Sequence, residues 1–528
     1  MTEMPTMDPA ESNPRVPRAV PASAPAPSDQ SVPEASLHGR APAASAVDHA
    51  LVRSIMVGLM LAMFLSALEQ SIVAPALPAI GRSLSDIENL SWVVTAYLLS
   101  ATAVTPLFGK LSDIYGRRVI LLLAIGIFIA GSIACALAPT MLTLIVARGA
   151  QGLGGGGILP LSQTIIADLL SPRERPRYQS YSAIAFVSAS ILGPVIGGFL
   201  TDQLHWSLIF WINVPLGAAA LLMTDRALRR LPRNERPHRL DVSGAVLMVG
   251  AAVALMLALN WGGTRYAWSS TPILALIAAS ALLWVSFGLR LIVAPEPFIP
   301  TTMLGDPVVG AIVAAGFFSI GTIVGLSIYF PLYFQLVLGL SASASGLALI
   351  SFMAGSVIGS IIAGRLVTQL TRYKRVPMVG LALAIAMLAA FAVRPGELSV
   401  AEVSALLALG GLGLGTMYPV TTMLMQNAVP LHQVGTATGA LNFFRLLGGA
   451  IIVAAFGAII LGAFGASDAS ITHDTLIETG RLSRVDFAAR FRWVFVAAAV
   501  FLGAAFLAVM LVHERPLRGP PPPRVVSE

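Results

Sequence analysis

The chain has 528 residues and a formal net charge of +7, and 56% of its residues are apolar whereas only 11% are charged. Soluble domains carry about 25% charged residues, so this composition excludes a cytosolic enzyme and leaves a polytopic membrane protein. The single cysteine, Cys135, excludes an internal disulfide and a cysteine-cluster metal site. Arginines that hold loops on the cytoplasmic side of a membrane account for the positive charge, so nucleic acid is not an expected partner.

The N-terminal segment 1–50 is rich in Pro, Ala and Ser and has no repeating apolar face, which predicts a disordered cytoplasmic tail. A spanning helix needs about 20 mostly apolar residues. The apolar runs that follow therefore predict an all-α protein with fourteen transmembrane helices, at 54–78, 90–109, 119–138, 141–168, 179–200, 208–224, 243–261, 271–292, 307–335, 344–366, 377–393, 401–428, 436–462 and 491–512. Pro160 and Pro419 lie inside long runs and predict kinks.

The basic residues are distributed unequally between the two sides of these spans. Of the 33 Lys and Arg residues, 24 lie in the tails and even-numbered connections, and seven lie in odd-numbered connections. The positive-inside rule then places both termini in the cytoplasm, together with a basic linker at 225–242 and a C-terminal tail at 514–528. The one long loop on the opposite, periplasmic side is 463–490.

Two sequence repeats relate the halves of the chain. GLGGGGILP at 152–160 resembles GLGLGTMYP at 411–419, and GKLSDIYGRR at 109–118 has a weaker counterpart in GRLVTQLTRYKR at 364–375. Position and topology agree, which favours a 6+2+6 plan: two pseudo-symmetric six-helix bundles at 51–224 and 293–513, around an extra helix pair at 243–292. Repeats related in this way are typical of secondary transporters.

Glu69 is the one acidic residue well inside a predicted span. At about 1.5 Å per residue it lies roughly 13 Å from the outer end of the first span, and Arg148 lies about 10 Å deep in the fourth. Because buried ionisable groups are costly, the two are expected to face each other. Burial favours protonation of the acid and the arginine opposes it, so the pair is a candidate proton-coupling site. The alternative is a permanent salt bridge that only joins helices.

The segment GKLSDIYGRR carries a second candidate site. Gly109 and Gly116 permit a tight connection between helices, and Asp113 can cap a helix start or pair with an arginine. Lys110, Arg117 and Arg118 are placed at the cytoplasmic boundary. A positive-inside anchor explains the basic residues but not the spacing of Gly and Asp. We therefore interpret 109–118, which we call the latch segment, as a loop that acts as a conformational latch.

GPVIGG at 193–198 combines a helix-interrupting Pro194 with Gly193, Gly197 and Gly198, which permit close helix packing. This pattern predicts a hinge or a tight contact between the halves, against the alternative of generic small-residue packing.

Several polar residues within spans are candidates for a cavity or for coupling: Gln70, Tyr97, Gln151, Asn442 and Arg445. Arg445 has two interpretations, snorkelling toward the cytoplasm or an internal partner for Asn442, a backbone carbonyl or substrate. The glycine run at 152–157 lacks the Lys-Ser/Thr ending of a phosphate loop. No catalytic group, metal site or cofactor is expected.

Together these motifs resemble the major facilitator superfamily, and in particular its fourteen-span drug:proton antiporter branch, over essentially all of 51–513. The latch segment fits the pattern G-x3-D-x2-G-R-R, and LEQSIVAPALP at 68–78, RGAQGLGGGG at 148–157 and LGPVIGG at 192–198 are similar to family motifs of spans 1, 4 and 5. WSLIFWINVPLG at 206–217 and QNAVP…GTATG at 426–439 are similar to further family stretches. The family usually has Asp where this chain has Glu69, and the C-terminal counterpart of the latch lacks its Asp.

The resemblance implies alternating access, with export of lipophilic or cationic drugs driven by inward proton flow. It implies small-molecule substrates, protons and the lipid bilayer as partners, with a periplasmic adaptor and an outer-membrane channel as further candidates. The Ala-, Arg- and Pro-rich composition favours a bacterial cytoplasmic (inner) membrane. The alternative is a proton-coupled transporter of one metabolite, such as a siderophore or an amino acid, on the same fold.

Overall fold

The structure is a computed structural model that describes residues 49–86, 89–229, 240–263, 265–370, 372–461 and 484–515. Most of the predicted tails 1–50 and 514–528, and large parts of the linker 225–242 and the loop 463–490, lie outside these residues. Within the described residues the regular structure is helical, apart from an isolated bridge between Gly262 and Tyr266. The predicted all-α fold class is confirmed.

The helices of the N-terminal half are α1 (His49–Ile72), α2 (Leu77–Ser83), α3 (Ser91–Tyr115), α4 (Arg117–Ala136), α5 (Met141–Leu169), α6 (Arg175–Gln203), α7 (Leu208–Trp211) and α8 (Asn213–Leu228). Two helices follow, α9 (Val242–Trp261) and α10 (Thr271–Val293). The C-terminal half contains α11 (Thr301–Leu304), α12 (Pro307–Leu336), α13 (Ala342–Gln369), α14 (Arg375–Val393), α15 (Val400–Gly415), α16 (Met417–Ala428), α17 (Val434–Leu461) and α18 (Arg484–Leu511). The exact division into bundles stays a prediction.

Every predicted span is helical, although thirteen rather than fourteen helical segments of the described chain are long and apolar enough to cross a membrane by length and composition. The exception is α5, which has 29 residues. Its glycine run and the polar residues Arg148, Gln151 and Gln163 reduce its hydropathy, although it is long enough to span.

Several features differ from the predictions. The latch segment is not a loop: α3 continues to Tyr115, and Gly116, with φ of +90°, is the only residue between α3 and α4. A positive φ is readily available to glycine, so this one residue makes the turn. Pro160 lies inside an uninterrupted α5, and near Pro419 the break falls at Thr416, three residues earlier. Finally, α18 begins at Arg484 rather than at 491.

Side-chain caps explain where several of these helices begin. Thr140 and Thr143 form a capping box at the start of α5, and Ser399 and Glu402 form one at the start of α15. Asp241 accepts a hydrogen bond from the Gly244 amide, 3.0 Å away, at the start of α9. Each cap satisfies backbone N–H groups that have no partner within the helix.

Where the N-terminal and C-terminal halves meet, α3 packs on α17 and α6 packs on α13. At both contacts, glycine allows the backbones of the two helices to approach each other closely. A Cβ on Gly109 would lie 3.0 Å from the Gly435 carbonyl carbon, and a Cβ on Gly364 would lie 2.8 Å from the Pro176 carbonyl oxygen. These distances are too short for a real side chain, so the backbones meet only because glycine occupies both positions.

The inserted pair α9 and α10 contacts both halves. The Trp92 ring of α3 lies 5.6 Å from the Trp261 ring of α9, and the Trp284 ring of α10 lies 6.1 Å from the Phe443 ring of α17. Within the pair, the Ser280 hydroxyl donates to the Ala251 carbonyl at 2.9 Å. The pair therefore packs against α3 and α17 where these two helices meet.

Candidate functional site

The first buried polar network is built around Glu69 on α1. The side chain is 0% exposed, and its two carboxylate oxygens accept hydrogen bonds from Arg148 on α5 and from Asn213 on α8. Arg148 is 1% exposed and forms an ion pair with the same carboxylate. A buried carboxylate is therefore held by one charged and one neutral donor, from two different helices.

Arg148 is itself oriented by further contacts. Its Nε donates to the Val93 carbonyl at 2.8 Å, and its Nη1 donates to Gln151 Oε1 at 2.6 Å. The Tyr97 ring stacks on the guanidinium, with the ring centroid 4.5 Å from Cζ. Because an arginine beside an aromatic face gains cation–π attraction, Tyr97 adds to the stabilisation of this buried charge.

The network continues to α4, where the Gln151 Nε2 donates to the Ser132 hydroxyl at 2.8 Å. The Cys135 thiol donates to the Gln151 Oε1 at 3.7 Å. Of the residues singled out in the sequence, Arg148, Tyr97 and Gln151 thus meet Glu69. Gln70 does not, since its side chain is exposed and donates to the Ser66 carbonyl at 3.4 Å.

The glycine run of α5 has a packing role in this arrangement. A Cβ on Gly155 would lie 3.0 Å from Tyr97 Cζ, and one on Gly154 would lie 2.8 Å from Phe128 Cα. The run therefore lets α3 and α4 approach α5 closely enough for their polar groups to meet.

Sequence reasoning did not single out Asn213 or Ser132. Asn213 lies in WSLIFWINVPLG, a stretch similar to one in the family, and this resemblance could have drawn attention to it. However, no spacing along the chain connects it with Glu69, 144 residues earlier. For Ser132 we find no such signal, since a serine in an apolar helix usually bonds to its own backbone, as it does here to the Phe128 carbonyl.

The second site is the contact of the latch segment with α17. The Asp113 carboxylate pairs with Arg117 and accepts hydrogen bonds from the Gly435 amide at 3.1 Å, the Thr436 amide at 2.6 Å and the Thr436 hydroxyl at 2.6 Å. These amides lie in the first turn of α17, where the helix dipole favours a negative charge. Asp113 therefore pairs with an arginine in the N-terminal half and also binds a helix start in the C-terminal half.

The basic residues of the latch segment have separate partners. Arg117 Nε donates to Asp168 at 2.8 Å, which connects the segment to the end of α5. Arg118 Nε donates to Asp225 on α8 at 2.9 Å. Lys110 is half-buried on α3, and its ammonium group interacts electrostatically with Asp113.

A second buried network lies between the halves, deeper than Asp113. Gln163 on α5 donates to the Tyr418 hydroxyl on α16 and accepts from Asn442 on α17, 2.7 Å away. Arg445 is 2% exposed. Its Nη2 donates to the Thr421 hydroxyl at 2.6 Å and to the Tyr418 carbonyl at 3.2 Å. Of the two interpretations of Arg445, the geometry matches the internal one and not snorkelling.

The GPVIGG segment makes a different contact from the predicted one. A Cβ on Gly193 would lie 2.8 Å from Ser71 Cβ, and one on Gly197 would lie 3.1 Å from Ile72 Cγ1, so α6 packs on α1 within the N-terminal half. These two contacts do not join the halves, which was one of the two predicted roles, because repeated small residues indicate a close helix neighbour but not its identity. The other role, a hinge, stays a prediction. Gly198 has no atom within 4 Å of such a Cβ, and Pro194 is exposed.

In the part of the chain that the structure describes, no group of three or more His, Cys, Asp or Glu side chains is placed to hold a metal. The two networks provide a buried carboxylate paired with a buried arginine, and hydrogen bonds that cross between the halves.

A bundle of long apolar helices that encloses two ionisable networks defines a multi-pass membrane protein. Residues 59–453 match the family model described as "Major Facilitator Superfamily". The chain therefore belongs to this superfamily.

Two curated relatives come from Bacillus subtilis (strain 168). The chain is 33% identical to the multidrug transporter protein MdtP over 76% of its own length and 74% of the relative's. It is also 33% identical to multidrug resistance protein 3, over 77% and 79% of the two lengths. A solved structure, the human organic anion transporter MFSD10 (TETRAN), aligns with a TM-score of 0.60 at 15% identity, over 87% of this chain and 99% of that one. At that identity the likeness shows the fold alone.

Proposed function

We propose that this protein is a proton-driven multidrug efflux transporter that exports lipophilic or cationic compounds by alternating access. The proposal includes a bacterial cytoplasmic (inner) membrane, both termini on the cytoplasmic side, and no enzymatic activity. The 33% identity to a multidrug transporter and to a multidrug resistance protein supports the substrate class. A periplasmic adaptor and an outer-membrane channel are further proposed partners.

The observation that carries proton coupling is the complete burial of Glu69 against Arg148 and Asn213. Protonation of the carboxyl removes the charge that holds the guanidinium, so Arg148 is released from one of its partners. Exchange of a proton at Glu69 therefore changes the forces between α1, α5 and α8. A membrane potential supplies about 2.3 kcal/mol per charge per 100 mV. At about 1.4 kcal/mol per tenfold ratio, that sustains a substrate gradient of roughly fifty-fold per charge.

The contact of Asp113 with α17 supports alternating access. It joins the two halves at the end of the bundle where the latch segment lies, which we assign to the cytoplasm from the distribution of basic residues. With this contact made, the cytoplasmic side is closed. Breaking it frees α3 from α17 and opens that side.

The proton assignment is tested with Glu69→Gln, which keeps the size of the side chain but cannot titrate. In everted vesicles with an acid interior, a transported dye should dissipate the pH gradient with the wild-type protein and not with Glu69→Gln. Glu69→Asp should keep the response. Glu397→Gln is the matched control, because it makes the same change at an exposed carboxylate. Full efflux by Glu69→Gln would remove the proton assignment.

The alternative of a permanent salt bridge gives a different result in the same variants. In that case Glu69→Gln should lower the protein's thermal stability and its dye binding together. Proton coupling instead predicts that dye binding persists while the coupled pH response is lost. Removing one partner of a buried ion pair typically costs about 3–5 kcal/mol in either case, so dye binding and the coupled pH response, rather than thermal stability, distinguish the two roles.

The remaining alternative is a transporter of one specific metabolite. Cells with and without the gene, challenged with a panel of toxic compounds in the presence and absence of an uncoupler, distinguish the two. Multidrug efflux predicts uncoupler-sensitive protection against several unrelated compounds. Protection against none of them, with uptake or export of one metabolite, would favour the alternative.

A further inference from the structure

Arg445 is a buried cation whose partners are all neutral. Its guanidinium contacts the hydroxyls of Thr421 and Thr422, and among the described residues no carboxylate lies within ion-pair distance of it. Arg148 is just as deeply buried but is neutralised by Glu69. Because buried charges are normally paired, the absence of an acid near Arg445 requires an explanation.

The hydrogen bonds of Arg445 also leave donors unused. A guanidinium has five N–H groups. Nη2 donates to three oxygen atoms at 2.6, 2.9 and 3.2 Å, but Nη1 reaches only the Asn442 Oδ1, at 3.4 Å. The buried Nε has no hydrogen-bond partner. The side chain therefore has both charge and hydrogen-bonding capacity available for a further acceptor.

The site is closed by a residue from the opposite half of the protein. Gln163 on α5 bonds to Asn442 and to Tyr418, both of which contact Arg445. The Gln163 bonds join the same two halves as the Asp113 contact. They must therefore break when α3 and α17 separate. Withdrawal of Gln163 leaves the arginine, an amide and a phenol ring together on the wall of the C-terminal half.

We propose that Arg445, with Asn442 and Tyr418, binds an anionic group of the transported compound, a carboxylate or a sulfonate, when the halves separate. The Arg445 cation supplies the charge-assisted hydrogen bonds that such a group prefers. The Tyr418 ring, whose centroid is 4.5 Å from Cζ, provides an aromatic surface for the apolar part of the compound. The proposal rests on the proposed export function and extends its substrates to organic anions and zwitterions.

A purely structural role for Arg445 is the competing explanation, because its bond to the Tyr418 carbonyl lies next to the break between α15 and α16. The two roles differ in their ligand dependence. A structural arginine affects all ligands alike, whereas an anion site affects only those that carry the negative charge.

The test compares naphthalene-2-carboxylate with 2-naphthamide, which differ in charge but little in shape, as ligands of the purified full-length protein. Wild type should be stabilised against thermal unfolding more by the acid than by the amide. That preference should disappear in Arg445→Gln, persist in Arg445→Lys and be unchanged in Arg82→Gln, which alters an exposed arginine. Equal shifts in wild type, or an undiminished preference in Arg445→Gln, would overturn the proposal. If Arg445→Gln does not fold, the preference for the acid over the amide is measured instead in Asn442→Ala, which keeps the arginine. The preference should then be reduced, and an undiminished one would overturn the proposal.

Transport in vesicles provides a second readout, with rhodamine 110, a free acid, and rhodamine 123, its methyl ester. Loss of charge-assisted hydrogen bonds should reduce export of the acid by Arg445→Gln about ten- to hundredfold relative to export of the ester. A parallel loss of both dyes would support the structural role instead. Failure of wild type to export either dye would count against the proposed function, while the binding comparison above would still decide the anion site.

Discussion

Replacement of Asp113 by Asn should shift the protein away from the state in which α3 and α17 are joined. The carboxylate accepts three hydrogen bonds across the interface, from the Gly435 amide at 3.1 Å and from the Thr436 amide and hydroxyl at 2.6 Å each. It also pairs with Arg117. An Asn side chain keeps one acceptor oxygen, but it loses the negative charge and brings an NH2 group toward two backbone donors.

The size of the effect follows from these contacts. A hydrogen bond to a charged group contributes about 1.5–3 kcal/mol. Loss of one such bond with little compensation costs the closed state about 2–3 kcal/mol. At about 1.4 kcal/mol per tenfold, the ratio of closed to open molecules should fall roughly 30- to 150-fold. Transport should therefore become slower, while the affinity for substrate changes much less.

The assay measures the distance between spin labels on the two halves at the end of the bundle where Asp113 lies. Cysteines introduced at Tyr115 and Leu431 are suitable because both side chains are exposed, 52% and 61%, whereas the native Cys135 is 0% exposed. Asp113→Asn should populate longer distances, and Asp202→Asn, at an exposed carboxylate on α6, should not. An unchanged distribution in Asp113→Asn, or a change in substrate affinity alone, would refute the reasoning.

Two further predictions concern glycines at close helix contacts. Gly109→Ala places a Cβ 3.0 Å from the Gly435 carbonyl carbon, so it should open the same interface in the spin-label assay; a fully closed distribution would contradict this. Gly197→Ala places a Cβ 3.1 Å from Ile72 Cγ1 and should cost about 1–3 kcal/mol of stability, measured as a lower thermal unfolding midpoint. Gly198→Ala is its matched control, because nothing lies within 4 Å of that Cβ, and equal loss in the two variants would refute the packing argument.

Much of the fold follows from the sequence because helix length in a membrane is set by the thickness of the hydrocarbon layer. That rule locates spans but not their polar extensions. The second predicted span therefore ends at residue 109, whereas the helix α3 continues to Tyr115. The residues from Lys110 to Tyr115 are too polar to count as membrane-spanning, yet their backbone continues the helix until Gly116 adopts a positive φ.

The candidate site was accessible from the sequence only where depth in the membrane restricts the choice. Glu69 and Arg148 could be matched because few ionisable residues lie in the spans and both have similar depths. Depth does not identify the partners of Asn213, Gln163 and Tyr418. Each is one of several neutral polar residues, and its neighbours depend on helix rotation and on pairing between distant spans. The same ambiguity explains why the sequence does not identify α1 as the neighbour of the GPVIGG segment.

The inserted pair α9 and α10 has a consequence for how the molecule can move. Through Trp261 it touches α3, and through Trp284 it touches α17. Any displacement that separates α3 from α17 must also slide these tryptophans over one of the two helices. Because the pair cannot stay packed on both helices, it moves with one of them, and its tryptophan contact with the other must rearrange each time the two helices separate.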